Sequence, residues 1–155
     1  MKEIIILVGC GRAGKSTYAR KIAEEKGYQY IAIDGNYHYT GEEEYFRFVD
    51  NVADTLNTRF YKNFILDGYL DFDDHFKYLK SKLNFHKIKP VMIFTNYEVI
   101  RSRGPGGGTL HTAEFIIKKY KNFLKVWDFD EFVEGDGDNK KVKTHEEAIE
   151  IVENG

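Results

Sequence analysis

The stretch from residue 3 to residue 17 most constrains how this chain can fold, because an apolar run, "EIIILV", leads directly into "GCGRAGKST". Four residues match the pattern G-x-x-x-x-G-K-[ST]: Gly9, Gly14, Lys15 and Ser16. In that pattern, glycines allow consecutive backbone N–H groups to point toward a bound phosphate. The context also fits, since a strand pattern precedes the loop and a helix pattern follows it. The sequence therefore predicts a triphosphate-binding loop.

The loop also supplies the candidate nucleotide contacts. The amino end of a helix adds partial positive charge, Lys15 can reach the β and γ phosphates, and Ser16 can ligate magnesium. We therefore expect ATP and Mg²⁺ as cofactors. The residues expected to contact them in the loop are Gly9, Gly11, Arg12, Ala13, Gly14, Lys15, Ser16 and Thr17.

Short apolar runs alternate with helical patterns along the chain. The runs predict strands at residues 3–8, 28–33, 63–67, 90–95 and 129–134. Most of them are nearly continuous, as in strands covered on both faces. The patterns between them predict helices at residues 17–26, 40–61 and 73–85, and two more capped by Thr112 and Thr144. The alternation predicts an α/β fold of three layers, with helices on both faces of a five-stranded parallel sheet.

The longest helical pattern, residues 40–61, places five apolar side chains on one stripe. They are Tyr45, Val49, Val52, Leu56 and Phe60. Thr40 and Glu43 have the spacing of a capping box at its start. We expect the whole stripe, Phe60 included, to pack on the sheet.

Composition narrows the class of protein. A chain of 155 residues with 42% hydrophobic residues suits one compact domain, residues 1–155. The net charge of -2 gives no global positive field, so any contact with nucleic acid must be local. The single cysteine excludes an internal disulfide, and no run approaches the roughly 20 apolar residues of a membrane span. We expect a cytoplasmic location without membrane contact. The oligomeric state is left open.

The phosphate-binding loop does not by itself identify the acceptor of a phosphoryl group. A guanine-reading N-K-x-D stretch is absent from the sequence, which argues against a GTPase. The chain is also short for a motor ATPase. The remaining features resemble those of the small nucleoside and nucleotide kinases.

Three stretches carry a resemblance that covers nearly the whole chain. "MKEIIILVGCGRAGKSTYARKIA" resembles the amino end of the kinase domain of phage polynucleotide kinases. "IAIDGNYH" places Asp34 about where that family has its catalytic aspartate. "EVIRSRGPGGGTLHTAEFIIKKYKNFL" is similar to the lid and following helix of that family and of adenylate kinases. The resemblance implies a P-loop kinase fold with a short lid at about residues 101–111.

The resemblance extends to two further groups and has gaps. A free-standing kinase of this shape also resembles the phage kinases of 5-hydroxymethyluracil in DNA, which would imply a host cytoplasm, and "FILDG" resembles nucleoside monophosphate kinases. However, Asp34 is followed by "GNYH" rather than by a second aspartate and an arginine, and "GYLD" lacks the arginine of adenylate kinases. The acceptor site therefore cannot be transferred whole from either family.

The family resemblance and the strand ends together assign roles to further residues. Asp34 would accept the proton of an acceptor hydroxyl or orient that hydroxyl. Asp67, at the end of the third predicted strand, would hold the magnesium shell through water. Arg101 and Arg103 would close over the transferring group. Candidates for stacking on an acceptor base are Tyr37, His38 and Tyr69.

These expectations define the predicted function as ATP-dependent phosphoryl transfer to a hydroxyl of a nucleic acid or nucleotide. The acceptor would be a polynucleotide 5'-hydroxyl or a 5-hydroxymethyluracil base in DNA. A nucleoside monophosphate kinase is the alternative, in which the acceptor phosphate is already ionised and needs no base. A nucleotide-binding switch without transfer is the second alternative.

Overall fold

The computed structural model describes residues 2–33, 42–68, 73–84, 86–103, 112–135 and 138–155. The strands are β1 (Lys2–Val8), β2 (Gln29–Ala32), β3 (Phe64–Asp67), β4 (His86–Phe94), β5 (Glu131–Glu134) and β6 (Lys141–Val142). The helices are α1 (Lys15–Lys26), α2 (Glu42–Thr58), α3 (Asp73–Lys82), α4 (Tyr97–Ser102), α5 (Ala113–Val126) and α6 (His145–Asn154). Strands and helices alternate along most of the chain.

The six strands form one sheet in the order β2-β3-β1-β4-β5-β6. β1 to β5 are parallel to their neighbours, and β6 is antiparallel to β5. The predicted α/β fold with five parallel strands is therefore confirmed, but the sheet has a sixth strand that the sequence analysis missed. β6 is only two residues long and begins with a lysine, so it leaves no apolar run in the sequence.

The centre of the sheet is buried on both faces. Five consecutive residues of β1, Ile4 to Val8, are at most 4% exposed. Since successive side chains of a strand point to opposite faces, burial of all five requires a layer on each side of the sheet. Helices provide these layers through buried residues such as Ile22, Leu56, Tyr120 and Val152.

The strand order places a crevice at the carboxyl end of β1. From β1 the chain runs to one side through α1, β2 and β3, and β4 then lies on the other side of β1. In open parallel sheets, ligands bind where the order reverses in this way. The phosphate-loop sequence begins directly after β1, so the fold positions it at this point.

The helix caps mostly match those predicted from the sequence, although several boundaries of helices and strands differ from the prediction. The side chains of Thr112 and Thr144 accept hydrogen bonds from the backbone N–H groups of Phe115 and Glu147, as expected of N-caps. β4 begins at His86, four residues earlier than predicted. The short helix α4, capped by the Asn96 side chain, was not predicted and includes the start of the expected lid. Residues 104–111 of that lid lie outside the described residues.

Phe60 is the clear error in the predicted core. α2 ends at Thr58, and Phe60 is 53% exposed in the turn that leads to β3. Val49, Val52 and Leu56 of the same stripe are buried, as expected. The periodic pattern continued past the helix end because the turn retains an aromatic pair, Phe60 and Tyr61. The predicted cap at Thr40 lies outside the described residues.

None of the helices in the described ranges is long and apolar enough to span a bilayer.

Replacing Leu56 and Phe60 by alanine tests this difference in burial. Leu56 is fully buried, so Leu56→Ala should lower the free energy of unfolding by about 2–5 kcal/mol. Phe60→Ala, at a largely exposed position, should change it by less than about 0.5 kcal/mol. Urea denaturation followed by circular dichroism gives both values, and equal losses would contradict the boundary of α2.

Candidate functional site

The loop after β1 packs closely against the neighbouring strands. A Cβ on Gly9 would lie 2.4 Å from the carbonyl oxygen of Ile93 in β4. Gly14 has a φ of +102°, and its Cβ would lie 2.4 Å from the carbonyl oxygen of Gly135, directly after β5. Both motif glycines are therefore needed for close backbone approach. Gly11 differs, since no atom of the described residues lies within 4 Å of an added Cβ there.

The loop ends at the amino terminus of α1, where the backbone favours an anion. Gly14 is the N-cap residue and has no side chain with which to cap the first turn. The N–H groups of that turn are directed along the helix axis, and the helix dipole adds partial positive charge. This end of α1 is therefore suited to bind a phosphate.

Lys15 lies over the loop rather than in solvent. Its side chain is buried at 8% exposure, and its Nζ donates a hydrogen bond of 2.9 Å to the carbonyl oxygen of Gly9. The ammonium group is thus held within the loop that would surround a triphosphate. The structure places Lys15 where the motif predicts it.

Asp67 and Ser16 form the most informative contact of the site. The Ser16 hydroxyl donates a 2.6 Å hydrogen bond to Oδ2 of Asp67, the last residue of β3. The hydroxyl of Tyr30 donates to the same oxygen at 2.9 Å. Asp67 is 4% exposed, and its Oδ1 is buried with no hydrogen-bond partner among the described residues. A hydroxyl and a carboxylate with a spare oxygen are ligands that suit Mg²⁺.

Tyr30 and Arg20 belong to this cluster, although the sequence analysis did not identify them. Burial and the nearby negative charge of Asp67 raise the pKa of Tyr30 above its ordinary value, which already leaves a tyrosine hydroxyl protonated at neutral pH. The guanidinium carbon of Arg20 lies 5.9 Å from the centre of the Tyr30 ring. Arg20 follows Ser16 by four residues in α1, so both project from one face of the helix toward β2. The four-residue spacing from Ser16 is the sequence feature that could have identified Arg20.

The two arginines at the predicted lid lie in different environments. Arg103 donates hydrogen bonds to the carbonyl oxygens of Arg12, at 2.8 Å, and Gly135, at 3.3 Å. Its guanidinium therefore spans the phosphate loop and the end of β5. Arg101 is exposed in the last turn of α4 and is not among the residues that line the cavity described below. The structure brings Arg103, and not Arg101, to the loop.

These groups surround one cavity of about 560 Å³. Its lining consists of phosphate-loop residues together with Asp67, Arg103, Gly135 and Asn139. Asn139 has a left-handed φ of 51°, donates to the carbonyl oxygen of Glu134, and accepts a hydrogen bond from Lys21. The cavity thus extends from the buried carboxylate to the segment after β5.

Two supporting residues were not expected from the sequence. A Cβ on Gly135 would lie 1.7 Å from the carbonyl oxygen of Ala13, so only glycine fits beside the loop. In the sequence, the feature that could have identified Gly135 is its position directly after a predicted strand, at the edge of the sheet where ligands bind. Tyr120 of α5 is fully buried, and its hydroxyl donates to the carbonyl oxygen of Ile93 and accepts from the N–H of Cys10.

Several predicted residues lie outside the described residues. These are Asp34, Tyr37, His38 and Tyr69, together with the glycine-rich part of the lid. The role of Asp34 therefore stays a prediction.

Solved structures share this fold. A gluconokinase from Sinorhizobium meliloti 1021 is 13% identical with a TM-score of 0.60, over 95% of this chain and 87% of that one. A shikimate kinase from Aquifex aeolicus vf5 is 18% identical with a TM-score of 0.57, over 95% and 91%. YorR of Bacillus subtilis, in complex with phosphorylated GDP, is 20% identical with a TM-score of 0.56, over 79% and 78%. These likenesses show that the chain has the fold of P-loop kinases.

No protein-family model matches the chain, and no curated protein matches its sequence.

Replacing Gly135 by alanine tests the contact between β5 and the phosphate loop. The added methyl group would overlap the carbonyl of Ala13, so the loop or the strand end must shift. Overpacking of this kind costs about 1–3 kcal/mol, and thermal unfolding should begin several degrees lower. Affinity for ATP, measured by calorimetry, should also fall. The matched control is Gly11→Ala, whose added methyl group meets no atom in the described ranges, so the unfolding temperature should stay unchanged. An unaltered Gly135→Ala protein would contradict the close contact.

Proposed function

We propose that this protein is a magnesium-dependent kinase that transfers the γ-phosphoryl group of ATP to a hydroxyl of a nucleic acid or nucleotide. The observation that carries this proposal is the 2.6 Å hydrogen bond between Ser16 and Asp67, next to the buried Lys15. A helix amino terminus, a buried ammonium group and a carboxylate are the elements that phosphoryl transfer requires for positioning and charge neutralisation.

The described residues fit a nucleoside triphosphate with magnesium. The backbone of the loop and the amino end of α1 would bind the phosphates, and Lys15 would exchange its bond to Gly9 for one to a phosphate oxygen. Ser16 and Asp67 would hold the ion, and the buried, unpartnered Oδ1 of Asp67 would gain an interaction. When bound, the ion neutralises charge on the phosphate oxygens.

Arg103 is placed to act at the other side of the phosphates. Its guanidinium lines the cavity and donates hydrogen bonds to the backbone carbonyls of Arg12 and Gly135. Exchange of these neutral carbonyl acceptors for anionic phosphoryl oxygens would add attraction between opposite charges and allow the bidentate geometry in which a guanidinium binds phosphate. Arg103 would thus stabilise the transferring group.

Two lines of support favour a hydroxyl acceptor. Asp34 comes two positions after the last residue of β2 in the sequence and, by the family resemblance, would orient the hydroxyl or accept its proton. Two of the structural neighbours are kinases of gluconate and shikimate, so the fold accommodates small hydroxylated acceptors. A nucleic acid or nucleotide is favoured here by the sequence resemblance. A small hydroxylated metabolite is the second candidate, favoured by those neighbours.

The decisive measurement is transfer of labelled γ-phosphate from ATP to a panel of acceptors. The panel contains 5'-hydroxyl DNA and RNA, DNA with 5-hydroxymethyluracil, nucleosides, nucleoside monophosphates, gluconate and shikimate. We expect label on a hydroxyl-bearing nucleic acid or nucleotide, lost in Lys15→Ala. Asp34→Ala should reduce turnover strongly while ATP affinity changes little, because a base acts in the transition state rather than in nucleotide binding.

Other labelling patterns would identify the alternatives. Label only on monophosphates would indicate a nucleoside monophosphate kinase and remove Asp34 as a base. Label only on a small metabolite would support the second candidate. ATP binding without any label, unaffected by Asp34→Ala, would indicate a nucleotide-binding switch and contradict the proposal.

Magnesium dependence tests the pairing of Ser16 with Asp67. Asp67→Asn and Ser16→Ala should each raise the magnesium concentration for half-maximal transfer by about 10–100-fold, because each removes an oxygen from the proposed shell. The matched control is Asp54→Asn, an exposed carboxylate on α2, which should leave the magnesium titration unchanged. An identical titration for Asp67→Asn and wild-type protein would contradict the proposed metal position.

A further inference from the structure

A second groove lies at the edge of the sheet opposite the phosphate loop. It is formed where β1 and β2 begin and in the turn before β3, and it encloses about 540 Å³. Ligand pockets commonly enclose roughly 300–1,000 Å³, so the groove has room for a group of nucleotide size. None of the predicted catalytic or nucleotide-contacting residues lines it.

The groove concentrates positive charge in a chain that is slightly acidic overall. Lys2, Arg59 and Lys62 line it, and none of the three forms an ion pair within the described part of the chain. The carboxylate of Glu3 lies nearby and accepts a 2.7 Å hydrogen bond from the hydroxyl of Tyr28, a wall residue. That hydrogen bond does not neutralise Glu3, so one carboxylate partly offsets the three basic side chains. With a net charge of -2 for the whole chain, this positive charge is a local feature.

Exposed aromatic rings border the same groove. Tyr61 lines it and is 58% exposed, and the adjacent Phe60 is 53% exposed. The two rings meet edge to face, with centres 5.8 Å apart, and Lys62 lies 5.9 Å from the centre of the Tyr61 ring. Adjacent exposed aromatic side chains present flat apolar surface to solvent, on which a base can stack.

We infer that this groove binds a single-stranded nucleic acid. Phosphates of the strand lie against Lys2, Arg59 and Lys62, and an unpaired base stacks on Tyr61. A basic groove next to exposed aromatic rings is the combination by which proteins bind single strands without base-specific contacts. A duplex fits poorly, because its bases are already stacked and paired. The inference does not rest on the proposed phosphoryl transfer, since the groove is remote from the phosphate loop.

The test measures binding of a fluorescein-labelled dT12 oligonucleotide to the full chain by anisotropy, without ATP or magnesium. With three phosphates neutralised, the logarithm of the association constant should fall with the logarithm of salt concentration with a slope of about −2. Arg59→Ala with Lys62→Ala should weaken binding at least about tenfold and reduce the slope to about −0.7. Tyr61→Ala should cost about tenfold in affinity and leave the slope unchanged.

Matched variants separate this site from general charge and from the phosphate loop. Lys125→Ala with Lys143→Ala removes two exposed charges elsewhere and should leave binding intact. Lys15→Ala should also bind the oligonucleotide normally, whatever its effect on phosphoryl transfer. Circular dichroism melts confirm that each variant is folded, which is expected because the altered groove side chains are exposed.

Four results would overturn the inference. The first is an absence of dT12 binding at 50 mM salt, and the second is a loss of affinity in the Lys125→Ala, Lys143→Ala control equal to that in the groove variant. The third is a blunt-ended duplex that binds as tightly as dT12 and whose affinity is unchanged by Tyr61→Ala. The fourth is displacement of labelled dT12 by inorganic phosphate at the same concentration at which unlabelled oligonucleotide displaces it. The last would identify a phosphate site instead of a strand site. A failed transfer assay with intact groove binding would contradict only the proposed kinase activity.

Discussion

Close backbone contact between the phosphate loop and the neighbouring strand ends is the constraint on which the rest of the site depends. Gly9 lies against Ile93, and Gly14 and Ala13 lie against Gly135, at distances that leave no room for a Cβ. The N–H of Gly135 also donates to the carbonyl oxygen of Phe94, so β4, β5 and the loop form one packed unit. A loop held in this way keeps the amino end of α1, and with it Lys15 and Ser16, at a constant position relative to the sheet.

The buried carboxylate of Asp67 supplies negative charge next to the loop that this packing holds in place. Two hydroxyl groups, from Ser16 and Tyr30, donate to one of its oxygens, and the other is buried with no partner among the described residues. A buried polar atom without a partner costs about 1–3 kcal/mol. A site that carries this cost before it binds a ligand gains the lost interaction when a cation arrives, which favours the bound state. Tyr30, which donates to Asp67, is itself partly removed from water, and this desolvation raises its pKa.

Much of this arrangement could be predicted from the sequence, for identifiable reasons. The phosphate loop is a local motif, so Gly9, Gly14, Lys15 and Ser16 could be assigned from spacing alone. Asp67 could be assigned because it ends an apolar run, and the carboxyl ends of parallel strands share one edge of the sheet.

The residues that were missed depend on contacts between distant segments. Gly135 and Tyr120 contact the loop across more than a hundred positions of sequence. A local signal, such as a glycine directly after a strand, does not identify the distant segment that the residue contacts. Phe60 was misplaced because helical periodicity does not mark the end of α2. The two-residue β6 and the six-residue α4 are too short to leave a periodic signal.

The parallel sheet also separates the phosphate loop, at one edge, from the basic groove proposed as a strand-binding site, at the opposite edge. β1 has seven residues, which at about 3.3 Å per residue gives roughly 23 Å between the phosphate loop and the basic groove. That distance exceeds the Debye length of about 8 Å at physiological salt, so charges at one edge hardly influence ligands at the other through solvent. On the two proposals made above, a nucleotide at the loop and a strand in the groove would therefore not repel each other through solvent. Any coupling between them has to pass through the packed strands of the sheet, whose centre is buried on both faces.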